Sequence, residues 1–404
     1  MSKIRVLVLP SDKTGVGKFR SVDPHVMLQN NHSEEFHVDI DYEPKANDLN
    51  YWKQYDIVHF HRTIAHNYDD SVNLISRLNS LGIITIMDLD DYWLPTKEHP
   101  VHQMVLQTEL HKKIINNLKV AGHVTTTTSV FATEIAKYNK NVYVLPNAIN
   151  PKESQFNAKT EPSDKLRFGW LGGSSHLHDL KLLDGTINKL SPLKDKFSMY
   201  LCGFDIRGTV TEINQQTKEQ KQRDIKPEET VWARYEEIFT DNYKMVDDNH
   251  KKYLMKFSDE EYKSDILPFY NRVWTKPVTS YANNYKWFDV SLAPIKNHVF
   301  NRVKSQLKVI EAGFYKKAII ASNIGPYTID LKHALNKGEF TNGNALLVDE
   351  ARNHSDWSKY MKKLIENPNL AHDLGQRLYE TVKDTYDLNK VTKDRAELYK
   401  TLVK

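Results

Sequence analysis

Four polar residues near position 300 are spaced to act together. Asn301, Lys304, Lys308 and Glu311 follow one another at intervals of 3, 4 and 3 residues, a spacing that predicts one shared face of a helix. Val303, Leu307, Ile310 and Phe314 repeat at intervals of 4, 3 and 4 and predict an apolar stripe along another side, able to pack on a sheet. Two lysines on such a face suit a phosphate or diphosphate, and one carboxylate suits a pair of sugar hydroxyls. A solvated face laced with Lys–Glu pairs is the plainer explanation of the spacing alone, so the segments around it decide.

The segment Phe168–Leu180 reads FGWLGGSSHLHDL. A strand is expected to run into Gly172 and Gly173, followed by Ser174 and a helix starting near Leu177. Glycines let backbone approach a ligand closely, and the first amides of a helix attract an anion. His176 and His178 can add hydrogen bonds there. Near the N-terminus, TGVGKFR places Gly15, Gly17 and Arg20 after the opening strand. It is no nucleoside-triphosphate loop, because G-x-x-x-x-G-K-[ST] would need Gly at Asp12 and Ser or Thr at Phe19. The expectation is a glycine loop with an arginine, facing an anionic donor or acceptor. In DIVHFHRT, His59 and His61 lie two apart at a strand end, with His61 and Arg62 placed to reach a cleft. Asp88, Asp90 and Asp91, in MDLDDYW, also follow a strand. Their carboxylates could hold a divalent cation, cap a helix or bind an acceptor hydroxyl.

Positioning these residues requires a scaffold, and its pattern is that of parallel α/β architecture. Expected strands are Ile4–Leu9, Phe36–Asp39, Asp56–Phe60, Ile83–Met87, His123–Thr126 and Val142–Leu145. A second series comprises Leu166–Leu171, Phe197–Leu201, Val290–Ala293, Ala318–Ala321 and Ala345–Val348. Near-continuous apolar runs such as IRVLVL fit strands covered on both faces. This divides the chain into a first domain, 1–148, a proline- and asparagine-rich linker, 149–164, and a second domain, 165–375. Helices follow over 376–404. Residues 205–265 are highly charged and read as a helical surface insertion, or as a lid or acceptor-recognition element.

Composition narrows the class. The 404 residues carry 56 Lys and Arg against 52 Asp and Glu, a net charge of +4, too mild for a dedicated nucleic-acid binder. A single cysteine excludes an intramolecular disulfide, a multi-cysteine zinc site and an iron–sulfur cluster. Neither a signal peptide nor a membrane-spanning run is legible. The expected location is the cytoplasm, with room for peripheral contact with the inner membrane surface.

Taken in order, GVGKFRSVDP, DIVHFHR, MDLDDYW, VYVLPNAIN, GWLGGSSH and FNRVKSQLKVIEAG…ASNIGPY resemble the retaining GT-B glycosyltransferases of the family 4 group, from bacteria or their phages. The resemblance implies two Rossmann-like domains facing across a cleft, with the nucleotide-sugar on the second and the last helix returning to the first. It implies sugar transfer from a nucleotide-diphosphate sugar to a glycan, lipid, protein or modified nucleic acid, with retention, no metal and no cofactor. Glu311 takes the place of the second Glu of the family's E-x7-E motif, which holds the ribose; the first falls at Val303. Gly172 and Gly173 stand where the family carries a phosphate-binding arginine, leaving Lys304 and Lys308 to neutralise the diphosphate. Asn301, Ser174 and His176 complete the donor side, and His61 matches the histidine near the reacting centre. Gly15, Gly17 and Arg20 would form a diphosphate or acceptor loop, with Arg62, Asp90 and Asp91 on the acceptor side.

Overall fold

The computed structural model describes residues 2–65, 67–203, 209–213, 216–217, 219–226, 229–241, 261–263, 267–274 and 276–404. Its first sheet is made of β1 (Ile4–Leu9), β2 (Phe36–Ile40), β3 (Ile57–His61), β4 (Ile84–Leu89), β5 (His123–Thr126) and β6 (Val142–Val144). The order is β2-β1-β3-β4-β5-β6, and every pairing is parallel. Val6, Val8, Ile57, Val58 and Ile86 are out of contact with water, as expected of strands covered by helices on both faces. The chain leaves β1 toward one edge and returns to build the other half from β3, so a crevice opens outside the carboxyl ends of these two strands.

The second sheet contains β7 (Leu166–Gly172), β8 (Phe197–Gly203), β11 (Glu261–Lys263), β12 (Tyr270–Trp274), β13 (Val290–Ala293), β14 (Ala318–Ser322) and β17 (Leu346–Val348). Its order is β11-β12-β8-β7-β13-β14-β17. Six strands run parallel and β11 closes one edge antiparallel. Two hairpins stand outside the sheets: β9 (Thr209–Ile213) with β10 (Gln220–Asp224), and β15 (Leu335–Asn336) with β16 (Glu339–Phe340).

The expected helical surface insertion over 205–265 takes a different form where it is described. The Gln- and Lys-rich stretch lies in and beside the β9–β10 hairpin, whose Arg223 pairs with Glu212 and Glu229 at 2.6 and 2.7 Å. The helix Val231–Thr240 is no surface element. Trp232, Tyr235 and Phe239 are buried in the core of the second sheet. Residues 204–208, 242–260 and 264–266 lie outside the described residues.

Two strands of chain pass between the sheets, and they pair with each other. Ile149 donates its amide to the Tyr386 carbonyl, and Leu388 donates to the Ile149 carbonyl, both at 2.9 Å. Gln155 and Phe156 are buried, and Tyr315 donates its hydroxyl to the Gln155 carbonyl. The last helix, Leu388–Val403, lies against the first sheet's helix Asp23–Asn31. Tyr399 packs with Val6, Val8 and Phe36 and bonds His25 at 2.8 Å. Among the described residues no helix is long and apolar enough to cross a membrane.

Candidate active site

The carboxyl ends of both sheets converge on one cleft. On the second sheet, β7 ends at Gly172, where any side chain would run into the Trp170 ring. The helix Val231–Thr240 braces the loop that follows. Trp232 donates its indole N–H to Ser174 Oγ at 3.0 Å. The Tyr235 hydroxyl donates to the Gly173 carbonyl at 3.1 Å and accepts from the His176 amide at 2.9 Å. The loop is held rigid by aromatic side chains that are themselves core.

Asp179, fully buried, ties this loop to the next one. Its Oδ2 accepts from His176 Nδ1 at 2.9 Å. Its Oδ1 accepts from the Asn301 amide at 2.9 Å and from the Lys296 backbone at 2.8 Å. Burial pushes this carboxyl up, but His176 and Lys304 outweigh it and hold it at about 2. Burial, joined by the Lys304 charge, lowers His176 to about 4. The ring is therefore neutral near pH 7, with its proton on Nδ1 and Nε2 left as an acceptor.

The four spaced residues do not share one helix. Val299–Arg302 and Leu307–Phe314 are separate helices, and the chain between them is irregular. The break has a packing cause: Val303, 1% exposed, belongs to the apolar cluster under the first sheet, and Ser305 accepts a 2.8 Å bond from Asn147. The break separates the two lysines. Lys304, partly exposed, lies 4.8 Å over the Phe300 ring. Lys308 turns inward, donating to the Leu171 carbonyl with its ammonium 5.1 Å from the Trp170 ring. Burial lowers its pKa to about 8. Glu311 is buried and accepts from the hydroxyls of Tyr281 and Tyr285, the latter at 2.9 Å. Burial raises its carboxyl above the usual range, against the pull of those bonds and of Lys308.

On the first sheet, His61 Nε2 meets Asp90 Oδ1 at 2.9 Å. Arg62, with φ at +61° just past the end of β3, bonds Asp90 at 3.2 Å and lies 3.5 Å from Asp91. Burial pushes the Asp90 carboxyl up, but His61, Arg62 and Arg20 hold it well below the ordinary range. Beside this group, at the ends of β1 and β3, is a cavity of about 390 Å³ lined in part by Ser11, Asp12, Tyr42, His61 and Tyr68. Across the cleft Glu98 pairs with Lys296 at 3.3 Å, and the His99 ring lies 5.5 Å from Phe300.

Two expectations for the N-terminal loop fail. Arg20 is 1% exposed and forms a two-bond pair with Asp88, at 2.9 and 2.7 Å, while its third nitrogen bonds Leu145 and Asn147. It offers nothing to a ligand. Nor is the Gly15–Gly17 loop a diphosphate cradle. Asp12 Oδ1 accepts from the amides of Thr14 and Gly17 at 2.7 and 3.2 Å, so the loop's own carboxylate occupies the place an anion would take. A side chain at Gly17 would collide with the Asp12 carbonyl, whereas Gly15 faces open space. The alternative reading of Asp88, Asp90 and Asp91 as a cation site finds each of them engaged by arginine, and among the described residues no three His, Cys, Asp or Glu side chains group to hold a metal.

Asp179, Tyr281 and Tyr285 were not legible as site residues. The His176–Asp179 interval of three and the Tyr281–Tyr285 interval of four are the helical signals that could have pointed to them.

No protein-family model and no curated protein matches the sequence. Solved structures do. HepE from Anabaena, in complex with UDP and glucose, superposes with a TM-score of 0.58 at 11% identity, over 98% of this chain and 99% of that one. Sucrose-phosphate synthase from Thermosynechococcus elongatus gives 0.60 at 12%, over 100% and 99%. The catalytic domain of starch synthase IV from Arabidopsis thaliana, bound to ADP and acarbose, gives 0.56 at 9%, over 100% and 99%. The chain has the two-domain GT-B fold, along its whole length.

Proposed function

We propose that the chain is a glycosyltransferase that moves a sugar from a nucleoside-diphosphate sugar to an acceptor hydroxyl. The observation that carries this reading is Lys308. Its ammonium is turned inward at the carboxyl end of β7, with no carboxylate within ion-pair distance among the described residues, one helical turn before the buried Glu311. An inward lysine without a counter-ion is costly, and a diphosphate is a ligand that would repay it. Lys304 supplies a second positive charge on the cleft side, Glu311 an acceptor for ribose hydroxyls, and Asn301, Ser174 and His176 lie around the same loop. The neighbours' complexes with UDP and glucose and with ADP support trying those nucleotides first.

In the reaction we infer, the acceptor oxygen bonds to the sugar's anomeric carbon while the bond from that carbon to the diphosphate breaks. The electron pair leaves with the diphosphate, one of whose oxygens takes the acceptor proton. Attack on the face the leaving group vacates gives retention. Lys304 and Lys308 stabilise the charge that develops on the leaving group, so no metal is required. His61, oriented by Asp90, lies on the first sheet's side of the cleft to position the sugar. Nothing in this scheme requires a membrane anchor, and the cytoplasm, where activated sugars are made, is the proposed location.

The test is a thermal-shift panel of UDP, GDP, ADP, dTDP and CDP, followed by product formation from the corresponding sugars. A ligand at about 100 times its Kd adds roughly 2.7 kcal/mol and moves the midpoint by a few degrees. One responding nucleotide and a glycosylated product are expected. Val303 in place of an acid favours a second reading, a binding protein without turnover. A responding nucleotide without product from any of its sugars would establish that one.

A further inference from the structure

The cavity at the ends of β1 and β3 has a charge balance unlike that of the donor side. Its lining includes two carboxylates, Asp12 and Asp41, and one permanent cation, Arg62. Arg62 is already matched by Asp90 and Asp91 and brings no spare positive charge. No lysine belongs to the described lining. Lys18 is bound by Asp23 and Glu153 at 2.6 and 2.9 Å, and Lys13, outside the lining, lies exposed 5.1 Å over the Tyr42 ring. Burial pushes Asp12 up, but its bonds from Thr14, Ser11 and Gly17 hold it below the usual carboxylate range, so it stays ionised.

The walls point the same way. Tyr42 and Tyr68 present aromatic surface to the cavity. His61, 2% exposed, lines it with its Nε2 held by Asp90 at 2.9 Å. Carboxylates accept from vicinal hydroxyls, and aromatic rings cover the C–H face of a sugar. A phosphate inside would face two carboxylates, and among the described lining residues the one permanent cation is already paired.

We propose that this cavity takes an uncharged, polyhydroxylated acceptor, the end of a neutral glycan, and rejects phosphorylated acceptors and nucleic acid. The proposal rests on the sugar-transfer reading for the word acceptor. The cavity's preference for neutral sugars stands apart from it.

The experiment uses the full chain and saturation-transfer NMR. The probes are the methyl glycosides of glucose, mannose, galactose and N-acetylglucosamine, the 6-phosphate of each, and a short DNA duplex. At least one glycoside should bind, with its 6-phosphate about tenfold weaker or worse. Tyr42→Ala, at an exposed ring, should weaken the glycoside by about tenfold. Asp41→Asn, which keeps an acceptor for the Glu43 amide and turns its NH2 to the Tyr51 hydroxyl but loses the charge, should narrow the gap between glycoside and phosphate. The proposal is overturned if no glycoside binds, if a 6-phosphate or the duplex binds as tightly, or if Tyr42→Ala changes nothing. The nucleotide panel reads the second sheet independently. Product formed preferentially on a phosphorylated acceptor would sink this inference and leave sugar transfer standing. Failure of every nucleotide to bind would sink sugar transfer whatever the glycosides do.

Discussion

Phe19 and Val303 are exchanged across the cleft. Phe19, from the first domain's N-terminal helical segment Gly17–Val22, is buried among the apolar side chains of the second, edge-on to Tyr281 with ring centroids 6.3 Å apart. Val303, from the second, is buried in the cluster under the first sheet. Each domain thus plugs the other within the site.

The exchange bears directly on the acid that an E-x7-E motif ending at Glu311 would place at 303. A carboxylate there would enter an apolar cluster with no partner. Val303→Glu should destabilise the protein by about 2–4 kcal/mol at pH 7. Burial raises the pKa of an introduced acid above its unfolded value, so the loss should shrink as pH falls toward 4 and the group becomes neutral. Urea unfolding at the two pH values checks this; equal stability of variant and parent at pH 7 would show that the cleft has room for the acid.

Arg20 and Asp88 make a pair of the kind that is costly to halve. Arg20→Leu leaves Asp88 charged, buried and short of two donors, and also strands the Leu145 carbonyl. A loss of about 3–5 kcal/mol is expected, with nucleotide affinity unchanged at a temperature where the variant is folded. Burial raises the Asp88 carboxyl, but Arg20 outweighs it and holds it below its ordinary value. A depressed acid contributes stability above its unfolded pKa, and that stability is lost as pH falls through the lower folded value. The parent should therefore keep this contribution down to acid pH, and the variant should lack it throughout.

What was legible follows from what a local pattern can encode. The strands of the first sheet match their expected bounds to within a residue or two, and in β1, β3 and β4 the reason is burial on both faces, which writes an apolar run into the sequence. β12 was missed because its centre is Arg272, a buried charge 4.1 Å over the Trp232 ring, which hides the strand behind polar residues. Helical spacing placed Lys308 and Glu311 near each other, yet it could not foresee the break at Val303, since that depends on an apolar cluster of the other domain. Arg20 misled for a similar reason. An arginine after a glycine loop looks available until Asp88, 68 positions away, takes it. His61, Arg62 and Asp90 do come together, because strand ends are local and converge by topology.

Lys308 gives the site a pH signature. Its folded pKa of about 8 lies below the ordinary lysine value because burial disfavours the charged form. Between about 8 and 10.4 the unfolded chain holds more protons, so this residue makes stability rise with pH across that window. Anion binding runs the other way, because only the protonated lysine attracts a diphosphate. Nucleotide affinity should fall as pH rises past about 8, and Lys308→Met should be weaker at pH 7 and flat across the window. Calorimetric titration at pH 7 and pH 9 measures both; a parent with the same affinity at the two values would remove Lys308 from the diphosphate site.

Glu311 is the residue on which ribose recognition turns. Both of its oxygens already accept tyrosine hydroxyls, but a carboxylate has about four acceptor positions, so two remain for vicinal hydroxyls. The tyrosines hold the plane of the carboxylate fixed, and Tyr281 meets Phe19 of the other domain, so ribose recognition and domain contact share one side chain. Glu311→Gln keeps the shape and loses the charge on those positions. Hydrogen bonds to a charged acceptor contribute about 1.5–3 kcal/mol, so the Kd of the responding nucleotide should rise roughly ten- to hundredfold. Because the ribose is bound alike in ground and transition states, KM for the donor should rise while kcat stays near the parent value. A fall in kcat at unchanged KM would instead place Glu311 at the reacting bond, and unchanged values of both in a folded variant would make it a structural acid of the tyrosine cluster.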